Sequence, residues 1–270
     1  MIGPILDSLH HRPAMKTPAP VIAITATLLS LASLLQAAPT AAELMAQASA
    51  FDRQQKPKSA LPLYLQVEGM EPRNAKLLVC IAKQYSYLMT DATSPEEKSR
   101  QGENALAYAR RAVAADPNLC DAHLALAVCQ GKLLPLLDTR QKLEGSRVIK
   151  ASAEKAVALE PGNDLAWHML GRWHQELANI GGTKLALAQF IYGSLPAASN
   201  EESARCLEKA LALNPERLMH QIELGRTYAQ MRRNDEARRL ITKGLAMPDR
   251  EKDDPDTKER GRYTLRKLDS

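Results

Sequence analysis

One phrase recurs along the chain: an apolar helical run, a polar residue, then proline. It reads Val67-Glu68-Gly69-Met70-Glu71-Pro72, Ala112-Val113-Ala114-Ala115-Asp116-Pro117, Ala156-Val157-Ala158-Leu159-Glu160-Pro161 and Ala210-Leu211-Ala212-Leu213-Asn214-Pro215. Proline lacks an N–H and its ring crowds the preceding turn, so each copy stops a helix at a defined place. A fifth instance closes on Gly244-Leu245-Ala246-Met247-Pro248. The intervals between these prolines are 45, 44, 54 and 33 residues. Recurrence on this scale points to stacked units.

Each interval holds two helices. In the clearest first helix Trp167, Leu170, Gly171 and His174 fall at i, i+3, i+4 and i+7, one stripe of a helix. Glycine there costs about 1 kcal/mol against alanine, which the close approach of a neighbouring helix explains. The stripe recurs as Leu224-Gly225 with Tyr228, as Leu126-Ala127, and as Ile81-Ala82 with Tyr85. Second helices repeat it as Ala204, Leu207 and Ala210, as Ala105, Ala109 and Ala112, and as Ala237 with Ile241. Ser94-Pro95-Glu96-Glu97 and Ser199 with Glu202 read as capping boxes at helix starts. Aromatic residues make up only 4% of the chain, and its 16 prolines outnumber its 13 glycines, which argues against a sandwich or barrel.

Trp167, Leu170 and Gly171, and then Leu224, Gly225, Tyr228 and Ala237, with Pro72, Pro117, Pro161 and Pro215 closing the units, resemble the tetratricopeptide pattern. The interval of 33 is close to that family's period of 34. The longer intervals imply extended helices and insertions. The expected fold is all-α, a solenoid of about five tetratricopeptide-like helix pairs. Phe51, Ala60 and Tyr64 place a degenerate first repeat, and a charged capping helix is expected near Asp256–Leu268, since an open end would expose apolar surface.

A narrower resemblance covers residues 150–250. Leu170-Gly171-Arg172-Trp173 with Glu176-Leu177-Ala178, then Tyr192-Gly193-Ser194-Leu195-Pro196-Ala197-Ala198, then Glu202-Ser203-Ala204 and Lys209-Ala210, are similar to the regulator-of-microtubule-dynamics family. The resemblance implies tetratricopeptide repeats and association with microtubules and membranes.

The segment Val21–Leu35 is uncharged, follows Lys16 and precedes Gln36-Ala37-Ala38. That order is expected of a secretory signal peptide; its length also allows an uncleaved membrane anchor over residues 20–38. Met15 directly before Lys16 marks an alternative start, which would place residues 1–14 outside the native protein. The expected organisation is a leader over 1–38, a repeat array over 40–248, and a capping helix and tail over 249–270. Export to a periplasmic or extracellular space is expected if the leader functions. Cytoplasmic residence, with tubulin within reach, is expected if it does not. Cys80, Cys120, Cys129 and Cys206 form no C-x-x-C pair and sit in apolar helical runs, so they are read as buried thiols and not as a disulfide framework.

Nucleophile-elbow, zinc-protease, phosphate-loop and dinucleotide motifs are all missing. Gly181-Gly182-Thr183-Lys184 reads as a hinge between helices. The chain is therefore expected to be no enzyme, with no catalytic residue, metal ligand or cofactor. A net charge of +5 without a basic cluster or stacking aromatics excludes a nucleic-acid signature. Solenoids of this type bind along the concave wall made by first helices. The candidate wall positions are Lys76, Lys83, His168, Arg172, Gln175, Met219, Ile222 and Arg226. Guanidinium groups there suit carboxylate or phosphate, so the expected partner is another protein offering an acidic peptide or a chain terminus. Met219, Ile222, Leu165 and Leu124 also admit an apolar or lipid ligand.

Overall fold

The four proline phrases end their helices in one way. At Glu71, Asp116, Glu160 and Asn214 the backbone leaves the helical region, with φ of −131°, −144°, −136° and −145°, and each amide donates back to the carbonyl four residues earlier. The bulk of the next residue's ring forces this conformation. A short turn then starts the next helix within four residues. The computed structural model describes residues 38–180 and 197–270. The expected leader up to residue 37, the expected hinge at Gly181–Lys184 and the Tyr192–Pro196 stretch lie outside the described residues.

Among the described residues five pairs of helices follow from these stops: α1 (Ala41–Arg53) with α2 (Pro57–Met70), α3 (Ala75–Asp91) with α4 (Pro95–Ala115), α5 (Cys120–Leu133) with α6 (Thr139–Leu159), α7 (Asp164–Ala178) with α8 (Asn200–Leu213), and α9 (Leu218–Gln230) with α10 (Asn234–Ala246). A final helix, α11 (Asp254–Leu268), caps the last pair by packing on α9 and α10. Among the described residues there is no strand, and the fold is the all-α solenoid expected from the repeats. Residues 40–270 form one compact unit. The long intervals are taken up partly by α4 and α6, each 21 residues.

Each second helix packs on its own first helix and on the first helix of the next pair. From α3 onward the first helices also touch one another, α3 on α5, α5 on α7 and α7 on α9, with no comparable contact between successive second helices among the described residues. First helices therefore converge and second helices splay, which sets the first helices on the inner side of the curve. The small residues of the stripes permit the approach. A Cβ on Gly171 would lie 2.7 Å from Leu207, and one on Gly225 2.7 Å from Ile241. Leu207 and Ile241 are wholly buried, a gain of roughly 1.5–3 kcal/mol each.

Helix starts differ in detail from the sequence reading. Ser94 and Ser199 accept from the amides of Glu97 and Glu202, but neither glutamate reciprocates. Glu97 is drawn to Arg100 and Gln101, and Glu202 to Arg205. Complete capping boxes occur at Thr40 with Glu43 and at Asp138 with Gln141. All four cysteines are free, with Cys120, Cys129 and Cys206 buried. Burial pushes the thiols of Cys120 and Cys129 up to about 12 and that of Cys206 to about 11, so they remain protonated.

Candidate binding face along the inner helices

The fifth proline phrase breaks the pattern, and the departure shapes the inner face. After α10 the chain does not restart a helix at once. Met247–Asp253 runs as an irregular strap to α11. Its ladder of contacts reaches far back in sequence. Gln55, in the turn between α1 and α2, donates from Nε2 to the Arg250 carbonyl at 2.7 Å. Lys252 pairs with Asp91 at the end of α3 at 2.5 Å. Lys132, at the end of α5, meets both Asp253 oxygens at 2.8 and 2.9 Å. Arg217, just before α9, meets Glu251 at 2.8 Å. The strap thus crosses first-helix elements of four repeats. Asp254, only 3% exposed, shapes it by accepting from the amides of Arg250 and Glu251. A polar cavity of about 160 Å³ lies between Arg217 and the strap's Pro248, Arg250 and Glu251.

The receptor side chains are oriented by the array itself. Lys132 Nζ also donates to Thr90 Oγ1 at 2.7 Å and points at the Ser86 carbonyl at 3.5 Å. Arg217 Nε stands 2.8 Å from Asp164 of α7. Tyr87 of α3 is buried with Lys83 over its ring. Burial, with Glu251, Asp52 and Asp253 nearby, pushes its hydroxyl up.

A second polar centre lies deeper. Glu223 of α9 is wholly buried. Its Oε1 accepts from Arg172 at 2.8 Å and from Arg260 of α11 at 3.0 Å, and its Oε2 accepts from Arg226. Burial alone would raise the carboxyl, but the three guanidinium groups of Arg172, Arg226 and Arg260 hold it well below the usual carboxylate range. Arg172 also reaches Glu176 at 2.8 Å. Gln175 Nε2 binds the Glu223 carbonyl at 2.8 Å and Thr227 at 2.9 Å. Beside it the rings of His168 and His220 meet Nδ1 to Nδ1 at 3.0 Å, and His220 Nε2 lies 2.8 Å from Asp164. His220 therefore donates from Nε2 to the carboxylate and accepts at Nδ1 from His168. Only one proton fits between the rings.

This arrangement corrects several of the wall positions. His168, Gln175 and Ile222 are buried and offer nothing to a ligand. His168 and Gln175 face α9, while Ile222 packs against α10 and α11 at Gly244 and Gly261. Arg172 and Arg226 are both engaged by Glu223, so neither guanidinium stands open to a ligand. Lys83 pairs with Asp52 of α1 at 3.1 Å. Lys76 is exposed at the start of α3, and Met219 is partly buried. Leu124 and Ile222, the apolar candidates, are buried in packing. A mostly apolar depression of about 430 Å³ lies elsewhere, between α8 and α10 over Leu224 and Tyr228. Of the two tryptophans, Trp167 binds the Pro161 carbonyl at 2.8 Å and Trp173 is buried with its indole N–H on Ser146; both serve packing. Sequence reasoning missed Lys132, Arg217, Glu223 and the strap.

The histidines give the array a pH dependence. Burial, then the His220 ring and Arg172, hold the His168 pKa well below its ordinary value, against the pull of Glu223 and with a smaller push from Arg260. Burial lowers that of His220 against the pull of Asp164, with Arg217 adding to the lowering. Unfolded histidines take up protons near pH 6.5 and these do not, so their contribution is complete above that pH and is lost as pH falls below it. In that window the unfolded chain binds protons that the folded one does not, so stability falls with pH. Melting temperature is expected to be level from pH 8 to 7 and to fall steeply between 6.5 and 5; a level profile to pH 5 would contradict this protonation scheme.

The family model described as Regulator of microtubule dynamics protein 1-3 matches residues 44–269. Regulator of microtubule dynamics protein 1 of Bos taurus is 27% identical over 180 residues, covering 66% of this chain and 57% of its own length. The Mus musculus protein of that name is 25% identical over 226 residues, covering 83% of this chain and 73% of its own. Against the bovine relative the chain thus spans little more than half its length. In fold, the chain is similar to a thermophilic tetratricopeptide protein of Thermus thermophilus, with a TM-score of 0.58 and 17% identity over 84% of this chain and 99% of that one.

Proposed function

The chain belongs to the regulator of microtubule dynamics protein family, and from that premise we propose that it is a non-catalytic helical-repeat protein that binds another protein along its inner face. The partner on this reading contributes an acidic peptide segment. The observation that carries the reading is the pair Lys132 and Arg217, two cations braced by Thr90 and Asp164 and already closed on carboxylates. Charge-assisted bonds of this kind are the strong and directional ones. Titration calorimetry of the full chain against peptides of equal length and rising Asp and Glu content tests it. Affinity should rise with acidity and fall with added salt; a series that binds without regard to charge would end the reading.

The family name supports a second reading, microtubule association, which requires the chain to meet tubulin. Co-sedimentation of the purified protein with polymerised tubulin tests it directly. The Lys16–Ala38 leader supports export instead, with a partner outside the cytoplasm. N-terminal sequencing of the native protein separates the two compartments. A lipid-carrier role loses Leu124 and Ile222 to the core and has less to support it.

A further inference from the structure

We propose that Met247–Asp253 is an intramolecular occupant of the inner face, and that the site beneath it takes a partner segment reading acid, base, acid, which must displace the strap to bind. The inference rests on the peptide-binding reading above and adds what the peptide must look like and what it competes with.

Three observations carry it. The strap presents Glu251, Lys252 and Asp253 to Arg217, Asp91 and Lys132 in turn, an alternation of charge matched residue for residue. Arg217 and Lys132 also have partners within the array, the Asp164 carboxylate beside Arg217 and the Thr90 hydroxyl on Lys132. The strap's other ties are also polar: Gln55 on the Arg250 carbonyl, Thr90 on Asp253, Lys258 on Asp249 and the Met247 carbonyl, and Asp254 on the Arg250 and Glu251 amides. Pro248, Asp249 and Arg250 are exposed, and no apolar side chain between 248 and 253 is buried.

Its flanks are different. α10 is anchored by Ala237 and Ile241, and α11 is fixed by Gly261 against Ile222 and Ile241 and by Arg260 on Glu223. The segment between them can swing away while both helices stay docked. Its ion pairs are partly solvated, with side-chain exposures of 23% and 38% for Lys132 and Asp253 and 27% and 43% for Arg217 and Glu251. Pairs of that kind shift an equilibrium by roughly two- to five-fold each, so losing two releases the strap by about ten-fold.

The test is fluorescence anisotropy with a labelled peptide copying residues 247–256, added to the full chain and to the double variant Glu251→Gln, Asp253→Asn. The double variant should bind about ten-fold more tightly than the parent chain, and adding Lys132→Gln to it should abolish the gain. A peptide with the three charges inverted should bind neither. Equal, tight binding to both proteins would leave the face as a peptide site and overturn the strap as its competitor. Absence of binding to a double variant that melts cooperatively, with hydrogen exchange showing residues 248–253 released, would overturn the peptide site itself and the proposed function with it.

Discussion

Replacing Glu223 by glutamine is expected to lower the unfolding free energy by about 3–5 kcal/mol, the usual cost of removing one partner from a buried ion cluster. The side chain keeps its shape, so the loss isolates the charge. Arg172 and Arg226, 23% and 17% exposed, and Arg260 would then converge on a wholly buried neutral group. The loss should be felt at a distance, because Arg260 ties α11 to the array through this carboxylate, and the strap leads directly into α11. Chemical denaturation reads the effect. An exposed pair makes the control: removing Arg100, which pairs with Glu97 on the surface of α4, should cost no more than about 1 kcal/mol. A loss below about 1 kcal/mol at Glu223 would mean that the cluster is not held dry as the geometry requires.

The second large effect lies at Gly225, where valine is expected to cost about 3 kcal/mol by overpacking. The nearest atoms to a Cβ there are Ile241 Cγ1 at 2.7 Å, the Ala237 carbonyl oxygen at 3.1 Å and the Ile241 amide nitrogen at 3.2 Å. Two of the three are backbone of α10, so the helices must part; a rotamer change does not relieve the clash. The opposite sign is expected at Gly69 in α2, where nothing lies within 4 Å. Alanine there should stabilise by about 0.5–1 kcal/mol through helix propensity alone. Thermal melts of the two variants, read together, separate packing from propensity.

These two sites show which parts of the molecule could be read beforehand. Pro72, Pro117, Pro161 and Pro215 act locally, on the residue before each, and a local constraint is visible in sequence. Gly171 and Gly225 were legible for a related reason: a residue that costs propensity inside a helix needs a packing explanation, and Leu207 and Ile241 provide it. The inner face was less legible, because helical spacing gives a direction around one helix and not what stands opposite. Arg172 and Arg226 read as equivalent places of successive repeats open to a ligand, but a carboxylate of α9 itself engages both. A charged residue between Ile222 and Leu224 in a packing helix was the available signal for it. The strap left a fainter trace. Asp249-Arg250-Glu251-Lys252-Asp253-Asp254 looks like any solvated charge run until the fold brings it against Lys132, 121 residues earlier.

Zero-length carbodiimide cross-linking of the unmodified protein asks the question with no substitution at all. The reagent joins an amine to a carboxylate only where the two are in contact, and the inner face offers Lys132 with Asp253 at 2.8 Å and Lys252 with Asp91 at 2.5 Å. Peptide mass spectrometry of the monomer should recover both links, α5 to the strap and the strap to α3. Their absence from the monomer, or their appearance only between two chains, would contradict an inner face closed by the protein's own acidic segment.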